Sequence, residues 1–145
     1  MRACFAPMIA LLSALAFGCR APQASAQLAW TKAPSGLGVI DLVAGQGPMP
    51  RPGQTCVVEG AGWIEDKGSR GTLFLDTRKR GFPATFPLGV GRVIKGWDEG
   101  ILSMRKGGKR LLRVPAPLGY SPQEAGHDIP PDATLIFEIE LIEIR

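Results

Sequence analysis

Cys56 and His127 supply the thiol and the only imidazole on which a nucleophilic mechanism in the body of this chain could draw. Cys56, however, lies in the apolar run Thr55-Cys56-Val57-Val58, His127 lies in a proline-rich stretch, and no nucleophile turn surrounds the cysteine. The expectation is a small buried hydrophobe on a strand for Cys56 and a solvated loop residue for His127. Gly89-x-Gly91 is followed by Ile94 where a dinucleotide fingerprint needs a third glycine, and no strand–helix–strand unit surrounds it. What remains is a set of aromatics, Phe86, Trp97, Phe137 and the single tyrosine Tyr120, together with the acid Asp76 that follows Leu73-Phe74-Leu75. Taken singly, the large aromatics would be core, Tyr120 a loop residue and Asp76 a turn or cap residue.

The elements that must position these side chains are mostly strands. Val39–Val43 reads as a first strand, and residues 45–53, with three prolines among nine residues, form a loop. Residues 55–64 read as a second strand loosened by Gly60 and Gly62, residues 65–71 as a turn or bulge, and residues 72–76 as a short strand before a basic turn at 78–81. Residues 85–88 suit an edge strand, because Pro87 has no N–H for a ladder bond. The spacing of Trp97, Ile101 and Met104 then predicts a helix, with Asp98 and Glu99 in its first turn, Arg105 and Lys106 in its last, and Gly107-Gly108 as its stop. Residues 109–114 form another strand, and residues 115–131 a long loop with five prolines. The closing strand alternates most clearly, with Leu135, Phe137, Ile139 and Leu141 on one face and Glu138 and Glu140 on the other. The expected class is α+β: a mostly antiparallel sheet against one short helix.

Length bounds this to one domain, since 145 residues at 45% hydrophobic leave no room for two cores. Phe5 to Phe17 is an apolar run after a basic start, too short to span a bilayer but suited to a secretory signal, and Ala24-Ser25-Ala26 gives an A-x-A cleavage pattern. The expected organisation is a signal peptide over 1–26, a flexible lead-in over 27–37 and the domain over 38–145. A rival site, Ala16-Phe17-Gly18-Cys19, resembles a lipoprotein box and would anchor the chain to a membrane through Cys19. Cleavage after Ala26 would remove Arg2 and Arg20 and no acids, leaving a slight positive surplus that argues against nucleic acid as a partner. Only Cys56 would remain, so no internal disulfide is expected.

Three blocks carry a resemblance in order and spacing: Gly53-Gln54-Thr55-Cys56-Val57-Val58, Val93-Ile94-Lys95-Gly96-Trp97-Asp98-Glu99-Gly100, and Ile129-Pro130-Pro131-Asp132-Ala133-Thr134-Leu135-Ile136-Phe137. Together they are similar to the FKBP-type peptidyl-prolyl isomerases. The resemblance implies an antiparallel half-barrel sheet wrapped around one short helix, isomerase activity on X–Pro bonds, and no cofactor or metal. It also implies Trp97 as the pocket floor, Val93 and Ile94 on the wall with the Ile94 N–H free for a substrate carbonyl, and Phe86, Tyr120 and Phe137 as aromatic walls. Ile129 would border the rim, Leu75 would line the pocket, and Asp76 would match the family's pocket aspartate. Asp76, Tyr120 and Ile94 would be the catalytic groups.

The implied partners are proline-containing polypeptides, with macrolide-type inhibitors as a further ligand class, and the implied setting is export to a periplasm or the exterior as a monomer. The chain departs from the family pattern at Gly60 and Leu75, which replace aromatics, with Phe74 one step off. It departs again at Ala84, which replaces a third aromatic, and at Ser121, which replaces a glycine. The expected pocket is wider and less aromatic than usual. The alternative reading is therefore an FKBP-fold peptide-binding chaperone of weak or no activity.

Overall fold

The computed structural model describes residues 29–145, so the predicted signal segment lies outside the described residues. Strand β1 (Thr31–Lys32) pairs antiparallel with β2 (Gly38–Val43), which pairs with β6 (Lys109–Val114); β6 pairs with β7 (Leu135–Ile144), β7 with β3 (Thr55–Asp66), and β3 with both β4 (Ser69–Asp76) and β5 (Ala84–Pro87). The class expected from the sequence is what forms. On β7 the alternation predicted from Leu135, Phe137, Ile139 and Leu141 places all four in the core, where Leu112 and Val114 of β6 meet them.

Several boundaries move. The sheet begins before residue 38, because β1 pairs with Val39 and Gly38 and Leu37 is fully buried; the segment expected as a lead-in is tied to the domain from Thr31 onward. Residues 65–71 are no separate turn: β3 runs on to Asp66, Lys67-Gly68 reverses the chain with positive φ, and β4 starts at Ser69. The basic turn is a short helix, α1 (Thr77–Arg80), closed by Gly81 in the left-handed region.

The main helix, α2 (Lys95–Leu102), is shorter than its apolar spacing suggests. Met104 is buried as predicted, but Arg105 and Lys106 lie beyond the helix. Their segment makes other backbone bonds: Lys106 N–H donates to Pro48 O, Gly107 N–H to Leu141 O and Gly108 N–H to Arg105 O. These bonds compete with continued helix, and the chain turns into β6 instead.

Helix α2 lies in the concave side of the sheet at a distance that only glycine allows. A Cβ on Gly96 would stand 2.7 Å from Val114 Cγ1, and one on Gly100 2.6 Å from Leu112 Cδ2. This close approach seats Trp97 and Ile101 in the core. At the far end of α2, buried Arg110 donates to Asp41 Oδ1 (2.6 Å), Gly100 O (2.8 Å) and Ser103 Oγ (2.5 Å), which ties the helix to β2 and β6.

Candidate active site

The inner face carries a line of aromatic rings. Phe86 and Trp97 have centroids 5.6 Å apart, Trp97 and Phe137 meet edge-on at 5.3 Å, Phe137 and Phe74 at 5.7 Å, and Phe74 and Tyr120 at 6.3 Å. Contributions from β5, α2, β7, β4 and the loop after β6 therefore converge, which is the grouping expected for Phe86, Trp97, Phe137 and Tyr120. The first three lie deep: Phe86, Trp97 and Phe137 are 8%, 5% and 0% exposed, so they form a floor beneath the surface. Trp97 Nε1 is buried without an acceptor among the described residues.

Tyr120, half-buried like Phe74, borders two cavities. The larger, about 550 Å³, is bordered by Val93, Ile94, Lys95, Pro117, Tyr120 and Asp132, among others. The smaller, about 210 Å³, is bordered by Phe74, Leu75, Arg80, Tyr120, Glu124 and Ile129, with Ala125 and Asp128. Val93 and Ile94 thus stand on one side of Tyr120, and Leu75 and Ile129 on the other. The Ile94 carbonyl accepts from the N–H groups of Trp97 and Asp98, while the Ile94 N–H has no acceptor among the described residues.

The Tyr120 hydroxyl makes no hydrogen bond among the described residues. Burial pushes its pKa above the ordinary value, outweighing the nearby Arg80 charge that lowers it, so the phenol stays protonated and available as a donor. Ile94 and Tyr120, which carry these two donors, border the same cavity.

The loop leading into α2 is held from within. The Asp98 carboxylate accepts from Gly89 N–H (2.8 Å) and Gly91 N–H (3.1 Å), and Gly91 borders the larger cavity. Its position in the first turn also suits the helix dipole.

Asp76 does not join this group. Its Oδ1 accepts from Arg78 N–H (3.0 Å) and Lys79 N–H (3.3 Å), so it caps α1. It borders a separate hollow of about 230 Å³ on the outer sheet face, with Glu59, Trp63, Arg70, Arg78, Lys109, Glu138 and Glu140. The physical reason is a bulge. Trp63 faces Leu73 and Gly62 faces Leu75 across the ladder, leaving Phe74 as the extra residue, and both Phe74 and Leu75 pack inward. Gly62 admits the Phe74 ring, since a Cβ there would stand 2.9 Å from Phe74 Cζ. Phe74 thereby restores one of the aromatic contacts that Leu75 and Ala84 lack.

The sequence reading did not assign Phe74, Arg80 or Glu124 to the site. Leu73-Phe74-Leu75 has no alternation, and that continuous run was the only signal of a bulge. Cys56 is fully buried on β3, and burial raises its thiol pKa, which fits the inert role expected for it.

A sheet packed around the short helix α2, with a line of buried aromatic rings leading to Tyr120 and the two cavities it borders, defines a class of domain, and comparison with known proteins names it. The family model described as FKBP-type peptidyl-prolyl cis-trans isomerase matches residues 47–142. An FK506-binding protein of Neisseria meningitidis serogroup B is 47% identical over 109 residues, covering 75% of this chain and 96% of the relative. The chloroplastic peptidyl-prolyl cis-trans isomerase FKBP13 of Arabidopsis thaliana is 43% identical over 120 residues, covering 75% of this chain and 56% of that protein.

Among solved structures, AtFKBP13 superposes with a TM-score of 0.72 at 40% identity, over 81% of this chain and 99% of that one. FkpA from Escherichia coli superposes with a TM-score of 0.71 at 34% identity, over 80% of this chain and 51% of that one, so this chain spans about half of FkpA. The chain belongs to the family of FKBP-type peptidyl-prolyl cis-trans isomerases.

Proposed function

We propose that this chain isomerises X–Pro bonds of exported polypeptides in the space around Tyr120, above the Phe86–Trp97–Phe137 floor. The reaction needs no covalent step. An X–Pro amide resists rotation by about 18–20 kcal/mol because resonance stiffens its C–N bond, and uncatalysed exchange takes roughly tens to hundreds of seconds. Rotation removes the resonance and much of the amide dipole. A dry, apolar surround therefore disfavours the planar form more than the twisted one, and only such a difference accelerates the step.

In this reading Val93, Ile94, Leu75 and Ile129 enclose the proline and its neighbours over the buried aromatics. The Ile94 N–H and the Tyr120 hydroxyl hold flanking carbonyls. Each such bond contributes about 0.5–1.5 kcal/mol, and about 1.4 kcal/mol is a tenfold change in rate when the bond strengthens at the twisted geometry. The observation that carries the reading is the pair of unpartnered donors on one cavity wall. Macrolide-type ligands would enter the same space, by analogy with the FK506-binding relatives. Export, as a free monomer or anchored through Cys19, is supported by the apolar run and the Ala24-Ser25-Ala26 pattern.

Phe82 and Val90, 63% and 53% exposed, favour the second reading, in which the domain holds unfolded chains with little turnover. They lie on loops next to cavity-bordering residues, Arg80 and Gly91. A protease-coupled assay on X–Pro peptides separates the two. Acceleration by the wild type that weakens in Tyr120→Phe supports catalysis, whereas suppression of aggregation without acceleration supports the chaperone reading.

A further inference from the structure

We propose that the hollow at the C-terminal end of α2, where Arg110 meets Asp41, is a binding site for a carboxylate group. It lies at the other end of the helix from Ile94, and it does not depend on the isomerase reading. Strand pairing brings the two charges together: Asp41 stands opposite Arg110, and a bulge after Asp41 moves Val43 on to Lys109. The Arg110 side chain is only 8% exposed, and three of the five N–H groups of its guanidinium are spent on Asp41, Gly100 and Ser103. The two on Nη2 have no acceptor among the described residues. They are not sealed in either, because Trp97 Nε1 is the one enclosed side-chain polar atom there without a partner. Arg110 borders a hollow of about 190 Å³, shared with Asp41, Val43, Gly45, Ser103 and Arg105, and Nη2 is the end of it left to face that space.

Other donors converge on the same hollow. The Ser103 hydroxyl accepts from Arg110 Nη1 and keeps its own proton to give, while the Gly45 N–H has no acceptor among the described residues. Only glycine fits at 45, since a Cβ would stand 2.6 Å from Gly108 N and Lys106 O, so the loop lies flat against the turn that carries Arg105. Arg105 makes one long bond, from Nη1 to Gly47 O (3.4 Å). Donors held in a largely buried place without acceptors favour whatever brings an acceptor in, and a charged acceptor most of all.

Charge selects the ligand. Arg105 and Arg110 against Asp41 leave one net positive charge, which a monoanion neutralises, whereas a dianion overshoots it beside the Asp41 carboxylate. Val43 and Met104 add hydrocarbon to the lining, which suits the carbon attached to a carboxylate better than the all-oxygen surface of phosphate.

The test is a titration of the ¹⁵N-labelled full-length chain with sodium acetate, followed by NMR at an ionic strength held constant with sodium chloride. Saturable shifts of the Gly45 and Ser103 amides and of the Arg110 side-chain N–H signals are expected, with sodium phosphate binding more weakly. Arg105→Ala should weaken acetate binding by about threefold or more, and Asp41→Asn, which keeps an oxygen for Arg110 Nε, should tighten it by about as much. No saturable shift at these groups overturns the proposal, as does phosphate binding more tightly than acetate. Acetate affinity unchanged in Arg105→Ala also overturns it, and that exposed substitution decides alone should Asp41→Asn not fold. Two peptides then identify the source of the carboxylate, one with a single Glu and an amidated C-terminus, the other free of acids with an open C-terminus. Saturation by the first assigns a side-chain carboxylate, saturation by the second a chain terminus, and saturation by acetate alone a small free acid.

Discussion

Trp97 of the helix and Phe137 of the last strand meet edge to face, with ring centroids 5.3 Å apart, and this contact joins the α2 seat to the sheet beneath the site. Both rings are almost wholly buried, so the pair belongs to the core and the pocket floor at once. Truncating Phe137 to alanine removes a fully buried ring among Trp97, Phe74 and β6. The expected loss is about 3–5 kcal/mol of stability, read as a lowered midpoint in urea.

Tyr120→Phe separates the hydroxyl from the ring. The ring packs edge-on against Phe74, while the hydroxyl has no internal partner, so stability should change by less than about 0.5 kcal/mol. The kcat/KM for X–Pro peptides should fall about 3–10-fold if the hydroxyl holds a carbonyl in the twisted state. Because burial raises the phenol pKa, the neutral form that packs well is fully present below the ordinary tyrosine range and is lost only as pH rises through the higher folded value. Activity that depends on this donor should therefore persist unchanged on the alkaline side of neutrality.

Asp98→Ala should loosen the loop that borders the larger cavity. It removes the carboxylate that accepts from Gly89 and Gly91, two charge-assisted bonds at about 1.5–3 kcal/mol each before solvent replaces them. The expected signature is faster amide exchange at residues 89–91 and a raised KM, measured by hydrogen exchange and steady-state kinetics.

Glu138 on the outer face predicts part of the acid sensitivity. Burial raises its pKa, but the hydrogen bonds and charges of Lys109 and Arg70 more than offset this, and the net shift is downward. A carboxyl with a lowered folded pKa contributes stability above its unfolded value, about 4.3, and loses it as pH falls through the folded value. The midpoint of thermal unfolding should accordingly drop as pH falls below about 4.3, and drop less steeply in Glu138→Gln.

Much of this fold can be read from residue patterns, because alternation on β7 and β6 and the spacing of Trp97, Ile101 and Met104 record one-sided burial. What could not be read depends on partners distant in sequence. The helix ends at Leu102, and the Lys106 and Gly107 N–H groups beyond it go to the Pro48 and Leu141 carbonyls, which no local signal reports. The site behaves alike. Trp97, Phe86 and Phe137 stack as buried rings, and Val93, Ile94 and Ile129 border the cavities on either side of Tyr120, whereas Asp76 lies apart on the outer face, since a one-residue bulge sets which of two neighbours faces inward. Such an insertion is set by ladder pairing with β3, and a match of residue types along the chain cannot register it.

The central claim is that this pocket lowers the barrier to amide rotation. Two-dimensional exchange NMR on an X–Pro peptide measures that rotation without a coupling protease. The account predicts cis/trans exchange that speeds up in proportion to the amount of wild-type domain, from an uncatalysed time of roughly tens to hundreds of seconds. Exchange equally slow with the folded domain and in buffer alone would contradict it.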